Sequence, residues 1–103
     1  MRVLMVGDVV GKPGRQVLEK YLDKIVHDYA IDFVIANGEN AAGGNGITRP
    51  VAEELFSYGV HVITMGNHVW DKKELLEFIE SEPRIIRPAN YPPGTPGKGY
   101  GIF

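Results

Sequence analysis

The chain has 103 residues, no cysteine, eleven Lys and Arg against thirteen Asp and Glu, and a net charge of −2 with a pI near 5.9. Without cysteine there is no disulfide framework and no thiolate metal site. Without a basic stripe, a long nucleic-acid phosphate backbone is excluded as the main partner. The hydrophobic fraction of 44% and charged fraction of 23% are those of an ordinary globular protein. A chain of this size buries roughly 60–70% of its extended-chain surface, enough for one core. No repeat or compositional break divides it, so residues 1–103 are expected to form a single domain.

The apolar start Arg2-Val3-Leu4-Met5-Val6 reads as a strand buried on both faces. Gly7-Asp8 stops it well short of a secretory or membrane-spanning segment, so no membrane partner is expected and the default compartment is the cytoplasm. Pro13 suits a first helical turn. Val17, Leu18, Tyr21, Leu22, Ile25, Val26 and Tyr29 then recur at three- and four-residue spacing, predicting an amphipathic helix with one apolar face. Ile31 to Ala36 is a second strand. A glycine-rich stretch follows, Ala41-Ala42-Gly43-Gly44-Asn45-Gly46, suited to a tight turn or a close backbone approach.

Thr48 and Pro50 mark the start of a second helix, with Ala52, Leu55 and Phe56 inward and Gly59 as its left-handed stop. Val60 to Thr64 is the third strand. Asp71 and Glu74 stand at capping-box spacing before a third helix, with Leu75, Leu76, Phe78 and Ile79 as its buried stripe and Pro83 barring continuation. Arg84-Ile85-Ile86-Arg87 is a weak fourth strand. The Pro- and Gly-rich segment from Pro88 to Gly99 is a surface connector. Tyr100-Gly101-Ile102-Phe103 begins something strand-like and then stops, so the domain is expected to be incomplete at its carboxyl end.

Three polar clusters each follow an apolar strand: Gly7-Asp8-Val9-Val10-Gly11, Asn37-Gly38-Glu39-Asn40 and Met65-Gly66-Asn67-His68. In a parallel α/β sheet all three meet at the carboxyl edge, where such folds bind ligands. Asp8 alone is common turn chemistry. Glu39 is a poor turn former directly after a strand and is harder to explain as surface charge. Two carboxylates, several amides and one imidazole make a mostly hard-oxygen donor set, suited to Mn²⁺, Fe or Zn²⁺. A bridging carboxylate such as Glu39 can hold two ions about 3.5–4 Å apart, a spacing that clamps a phosphoryl displacement. His68 would then serve a leaving alkoxide. The spacing at Gly7–Pro13 does not make a P-loop, and neither glycine-rich stretch gives a dinucleotide fingerprint. His27, His61 and Arg15 read as structural or surface residues, and Trp70 as core or cleft wall.

These three motifs, in this order and spacing across essentially the whole chain, resemble the YmdB-type branch of the calcineurin-like metallophosphoesterases. The resemblance implies the amino-terminal βαβαβα half of a four-layer αββα sandwich with mainly parallel strands. It also implies a dinuclear phosphodiesterase acting on small phosphodiesters such as 2′,3′-cyclic nucleotides, with RNA ends as a further substrate class. Carried over by motif, Asp8 is a ligand of one metal and Glu39 the bridge. Asn40 lies beside them, Asn67 binds the second metal, and His68 is the catalytic imidazole. Val10 and Glu39 depart from the wider superfamily's Asp-x-His and Gly-Asp motifs, as expected of this branch. The family's remaining ligands are histidines from the second half of a longer domain, which His27 and His61 do not match. The competing reading is a non-catalytic half-domain that binds metal or phosphate weakly and covers its sheet edge as a homo-oligomer.

Overall fold

A computed structural model describes all residues from Met1 to Phe103. Four strands, β1 (Val3–Val6), β2 (Phe33–Asn37), β3 (Val62–Thr64) and β4 (Ile85–Ile86), form one sheet in the order β1-β2-β3-β4. Every neighbouring pair is parallel. Helices α1 (Gly11–Asp28) and α2 (Arg49–Ser57) make the first two crossovers, and a short α3 (Leu75–Phe78) with a 3-10 turn (Ile79–Ser81) makes the third. The expected parallel α/β architecture is the one observed.

Strand register explains where the core sits. Leu4 stands beside Val34, Val6 beside Ala36, Ala36 beside Ile63, and Ile63 beside Ile85. Side chains alternate across a strand, so these residues share one face. Val34, Ala36, Ile63 and Ile85 are buried there with Leu18 and Leu22 of α1, Ala52 and Leu55 of α2, and Leu75 and Phe78 of α3. All three helices therefore layer on one side of the sheet. Each such large side chain contributes roughly 1.5–3 kcal/mol by leaving water.

The opposite face corrects two expectations. Met5 is 69% exposed and Val3 47% exposed, so β1 is not buried on both faces. The reason is topological: β1 is an edge strand, and the helices cover only its other side. Along α1, Val17, Tyr21, Ile25 and Tyr29 remain exposed, while Leu18 and Leu22 are buried. The exposed row runs past the β1 edge, where Ile25 and Tyr29 line an open apolar cleft with Val3 and Leu4. Spacing alone could not separate two neighbouring apolar rows, only one of which meets the sheet. Residues Tyr100–Phe103 form no strand; the Phe103 ring lies 6.2 Å from that of Phe33 on this open face.

Local signals held at α2. The Thr48 hydroxyl accepts from Val51 N–H, Pro50 sits in the first turn, and Gly59 follows the last turn at φ +114°. His61 is structural: its Nδ1 accepts from Val34 N–H at 2.9 Å and its ring stacks on Phe33. The Pro- and Gly-rich connector is tied down by Arg87, whose guanidinium donates to the carbonyls of Pro88, Thr95 and Pro96. The third helix differs from its prediction. It begins at Leu75 after an uncapped Glu74, and Leu76 is 48% exposed while Leu75, Phe78 and Ile79 are buried. Four helical residues make barely one turn, too short for a full stripe.

Candidate functional site

The three polar clusters meet because parallel register brings three strand ends to one edge. Asp8 lies two residues past β1, Glu39 two past β2, and Asn67 three past β3. Backbone bonds lace the loops together: Val9 N–H to the Asn37 carbonyl at 3.1 Å, Gly11 N–H to the Asn40 carbonyl at 2.9 Å, and Gly38 N–H to the Thr64 carbonyl at 2.9 Å. Asp8 itself sits at φ +33°, a left-handed conformation unusual for a residue with a side chain. Such strain persists where its surroundings over-determine it.

Side chains continue the lacing. Asn40 Nδ2 donates to Asp8 Oδ1 at 2.8 Å. Asn37 Nδ2 donates to Glu39 Oε1 at 3.2 Å, and His68 N–H donates to Glu39 Oε2 at 3.2 Å. The Glu39 carboxylate thus rests in the Gly66–His68 turn, and the lack of a side chain at Gly66 makes room for it. A Cβ there would stand 2.5 Å from Glu39 Cδ and 2.6 Å from Oε2. Asn67 is exposed in the same turn.

Sequence reasoning missed three residues here. His68 Nδ1 lies 2.7 Å from Asp71 Oδ2, and Asn45 Nδ2 donates to that same oxygen at 3.0 Å. These two partners, Asn45 first, hold the Asp71 carboxyl below the usual aspartate range. Asp71 is therefore not the helix cap its spacing to Glu74 predicts; the imidazole three residues earlier takes its carboxylate. Arg15 is not a plain surface arginine. Its side chain is 16% exposed, its Nε is 3.2 Å from Glu54 Oε2, and its Nη1 donates to the Ala41 carbonyl. The Nε contact is an ion pair off the line of a hydrogen bond. Arg15 thereby fastens α1 and α2 to the loop that carries Glu39 and Asn40. An i,i+3 His–Asp pair in a turn is a signal that sequence could have offered for Asp71; nothing local marks Arg15.

The donor set fits a divalent cation in kind. A carboxylate offers about four lone-pair positions. Glu39 uses one on each oxygen, Asp8 Oδ2 has no partner, and Asn40 has spent its amide N–H rather than its oxygen. These oxygens suit hard or borderline metals. In number the set is short, since no three His, Asp or Glu side chains converge on one point. Trp70 is partly buried, packed against the core and edge-on to Tyr91. His27 is exposed on α1.

A YmdB-like protein family model matches residues 4–103. The chain belongs to that family. It is 52% identical over 99 residues to the 2′,3′-cyclic-nucleotide 2′-phosphodiesterase of Bacillus subtilis strain 168, covering 96% of this chain and 38% of that protein. A crystal structure of a hypothetical protein from Thermus thermophilus superposes with a TM-score of 0.88 at 50% identity, again over 96% of this chain and 38% of the other. A phosphatase crystal structure from Mycoplasma pneumoniae superposes with a TM-score of 0.87 at 35% identity, over 94% and 36%. The chain thus spans well under half the length of the relatives it matches. No helix of this YmdB-like chain is long and apolar enough to cross a membrane.

Proposed function

We propose that this chain supplies one side of a dinuclear metal centre in a phosphodiesterase that hydrolyses 2′,3′-cyclic nucleotides and related small phosphodiesters. One observation carries the reading. The Glu39 carboxylate is seated against Gly66, in a turn that also presents Asn67 and His68, with Asp8 and Asn40 bonded to each other across the neighbouring strand end. Seated there, the carboxylate accepts one bond on each oxygen and keeps the remaining lone pairs for a cation, as a bridging ligand requires. The activity for which the Bacillus relative is named agrees.

In this reading Asp8 and Asn40 would hold one ion and Asn67 the other, with Glu39 as the ligand that would be shared. Mn²⁺ or Fe suits the oxygen donors best, with Zn²⁺ next. Two such ions, when bound, polarise the phosphoryl group and lower the pKa of the attacking water. Two carboxylates leave about two positive charges unbalanced, so further donors come from residues outside this segment. His68 gives a proton to the leaving oxygen as the P–O bond breaks. A 2′,3′-cyclic phosphate at an RNA end presents the same phosphodiester and is a second substrate of the same class. With a nucleotide as substrate, the cytoplasm is the compartment that this reading assigns.

The test is Glu39→Gln in a protein of the relatives' full length, with metal content and hydrolysis of 2′,3′-cyclic AMP measured together. Metal content should fall by about half or more, and turnover by at least about 100-fold, as expected when a bridging ligand is lost. Unchanged metal content and turnover would refute the assignment.

A further inference from the structure

The glycine-rich loop Gly43–Gly46 holds none of the candidate metal ligands, yet it borders them. Gly46 N–H donates to the Glu39 carbonyl, and Ala42 N–H donates to the Gly46 carbonyl at 3.0 Å. In the middle of the loop, Gly44 N lies 3.6 Å from where a Cβ at Gly11 would stand, in the turn that follows Asp8. At its far end, Gly46 sits at φ +72° and packs on the stem of Lys72. A Cβ at residue 46 would stand 2.6 Å from Lys72 Cγ and 3.0 Å from Lys72 N. Only glycine permits that approach. The loop therefore runs from the Asp8 and Glu39 clusters on one side to Lys72 on the other.

Two kinds of unspent donor meet along it. The N–H groups of Ala41, Ala42 and Gly46 are all bonded, but those of Gly43, Gly44 and Asn45 between them reach no acceptor. Gly43 and Gly44 are both left-handed, at φ +67° and +103°, and open space surrounds the position a Cβ would take at each. Successive free N–H groups in such turns form concavities that take anions. The second donor is the Lys72 ammonium. Among the half-buried cations, Arg15 pairs with Glu54 and Arg87 donates to three carbonyls, whereas Lys72 has no acceptor. An ammonium carries three donors and accepts nothing. Free N–H groups and an unpaired cation side by side call for an anion.

We propose that Lys72 and the free N–H groups of Gly43–Asn45 form a second anion site, which takes the phosphate preceding the terminal nucleotide of an RNA chain that ends in a 2′,3′-cyclic phosphate. Resting on the phosphodiesterase reading above, this site narrows the substrate from a free nucleotide to an oligonucleotide end. A cyclic mononucleotide has one phosphate, which the metal edge takes, and it leaves the loop empty. A second phosphate held one loop away from the first belongs to the neighbouring nucleotide of the same strand. One lysine and one short loop match a single extra phosphate, in keeping with a chain of net charge −2 that has no basic stripe for a longer backbone.

The test compares two substrates in the Mn²⁺-loaded full-length protein: 2′,3′-cyclic AMP, and the adenylyl-adenosine dinucleotide ending in a 2′,3′-cyclic phosphate. At about 50 mM salt the native protein should favour the dinucleotide at least about tenfold in kcat/KM, as one hydrogen bond to a charged group gives. Lys72→Gln should erase most of that preference by raising KM for the dinucleotide. The constants for 2′,3′-cyclic AMP should stay within about twofold of native with metal content unchanged, and Lys72→Arg should keep most of the preference. Equal kcat/KM for the two substrates in the native protein, or a preference that survives Lys72→Gln, would overturn the assignment. A loss shared equally by both substrates, or accompanied by loss of Mn²⁺, would overturn it too, because Lys72 would then serve the metal edge. Should Lys72→Gln fail to fold, salt decides. The native preference should shrink about threefold between about 50 and 200 mM salt, as one phosphate contact predicts, and a preference unmoved by salt would contradict the site. Hydrolysis of neither substrate would refute the phosphodiesterase reading itself, whereas equal hydrolysis of both refutes only the second site.

Discussion

Gly66 has no side chain because the Glu39 carboxylate occupies the space one would fill. A Cβ at residue 66 would lie 2.5 Å from Glu39 Cδ, far inside van der Waals contact. Gly66, unlike Gly43 or Gly46, is not in the left-handed region, so alanine could adopt its backbone without strain. The cost of a methyl group there falls on Glu39. Gly66→Ala should therefore keep the fold, losing about 1–3 kcal/mol as overpacked sites do, while Mn²⁺ affinity drops at least about tenfold by titration calorimetry. Gly43→Ala is the contrast: its Cβ meets nothing, but its φ of +67° penalises alanine. It should lose about 1–2 kcal/mol of stability with Mn²⁺ affinity unchanged. Equal affinities for the native protein and Gly66→Ala would remove the cradle from the account.

The inward face of the core is tested by a pair of leucines. Leu55 of α2 is fully buried against the sheet, and Leu76 of α3 is 48% exposed. Leu55→Ala should cost about 2–5 kcal/mol in urea unfolding, as buried leucines do. Leu76→Ala should stay within about 0.5 kcal/mol, as surface substitutions do. Comparable losses would mean that α3 turns the other way.

Tyr58 gives a pH dependence whose sign is fixed by its partners. Its hydroxyl donates to Glu54 Oε1 at 2.7 Å, and that bond, with the nearby charges of Glu54 and Glu19, pushes the phenol from 10.0 up to about 12. The folded state holds the proton more tightly than the unfolded state does. The contribution is therefore complete below pH 10 and lost as pH rises from 10 to about 12. Measured against Tyr58→Phe, the stability difference should be flat up to about pH 10 and shrink above it. A difference that grows over that window would reverse the assignment.

Much of the fold was legible in the sequence because local and global signals agree there. The strands expected at Arg2–Val6 and Ile31–Ala36 and observed at Val3–Val6 and Phe33–Asn37, the Thr48-to-Gly59 helix and the polar residues after each strand follow from periodicity and turn chemistry. What was not legible depends on layers. Nothing in the spacing of Val17, Tyr21, Ile25 and Tyr29 says that the sheet ends at β1, so their exposure could not be read. Asp71 was misread because a cap and an imidazole partner use the same residue type at the same kind of spacing, and the winner is set in three dimensions. Arg15 was missed because its partners, Glu54 and the Ala41 carbonyl, are remote in sequence. Asp8, Glu39, Asn40, Asn67 and His68 were singled out together as candidates because one physical rule, parallel strands sharing a carboxyl edge, gathers them.

The most direct measurement of the central claim is hydrolysis of 2′,3′-cyclic AMP by the full-length protein after chelation and after resupply of Mn²⁺. The account predicts activity that disappears with the chelator, returns with Mn²⁺ at two ions per chain, and fails to return in Glu39→Gln. Activity that survives complete metal removal, or that never appears in the Mn²⁺-loaded protein, would contradict it.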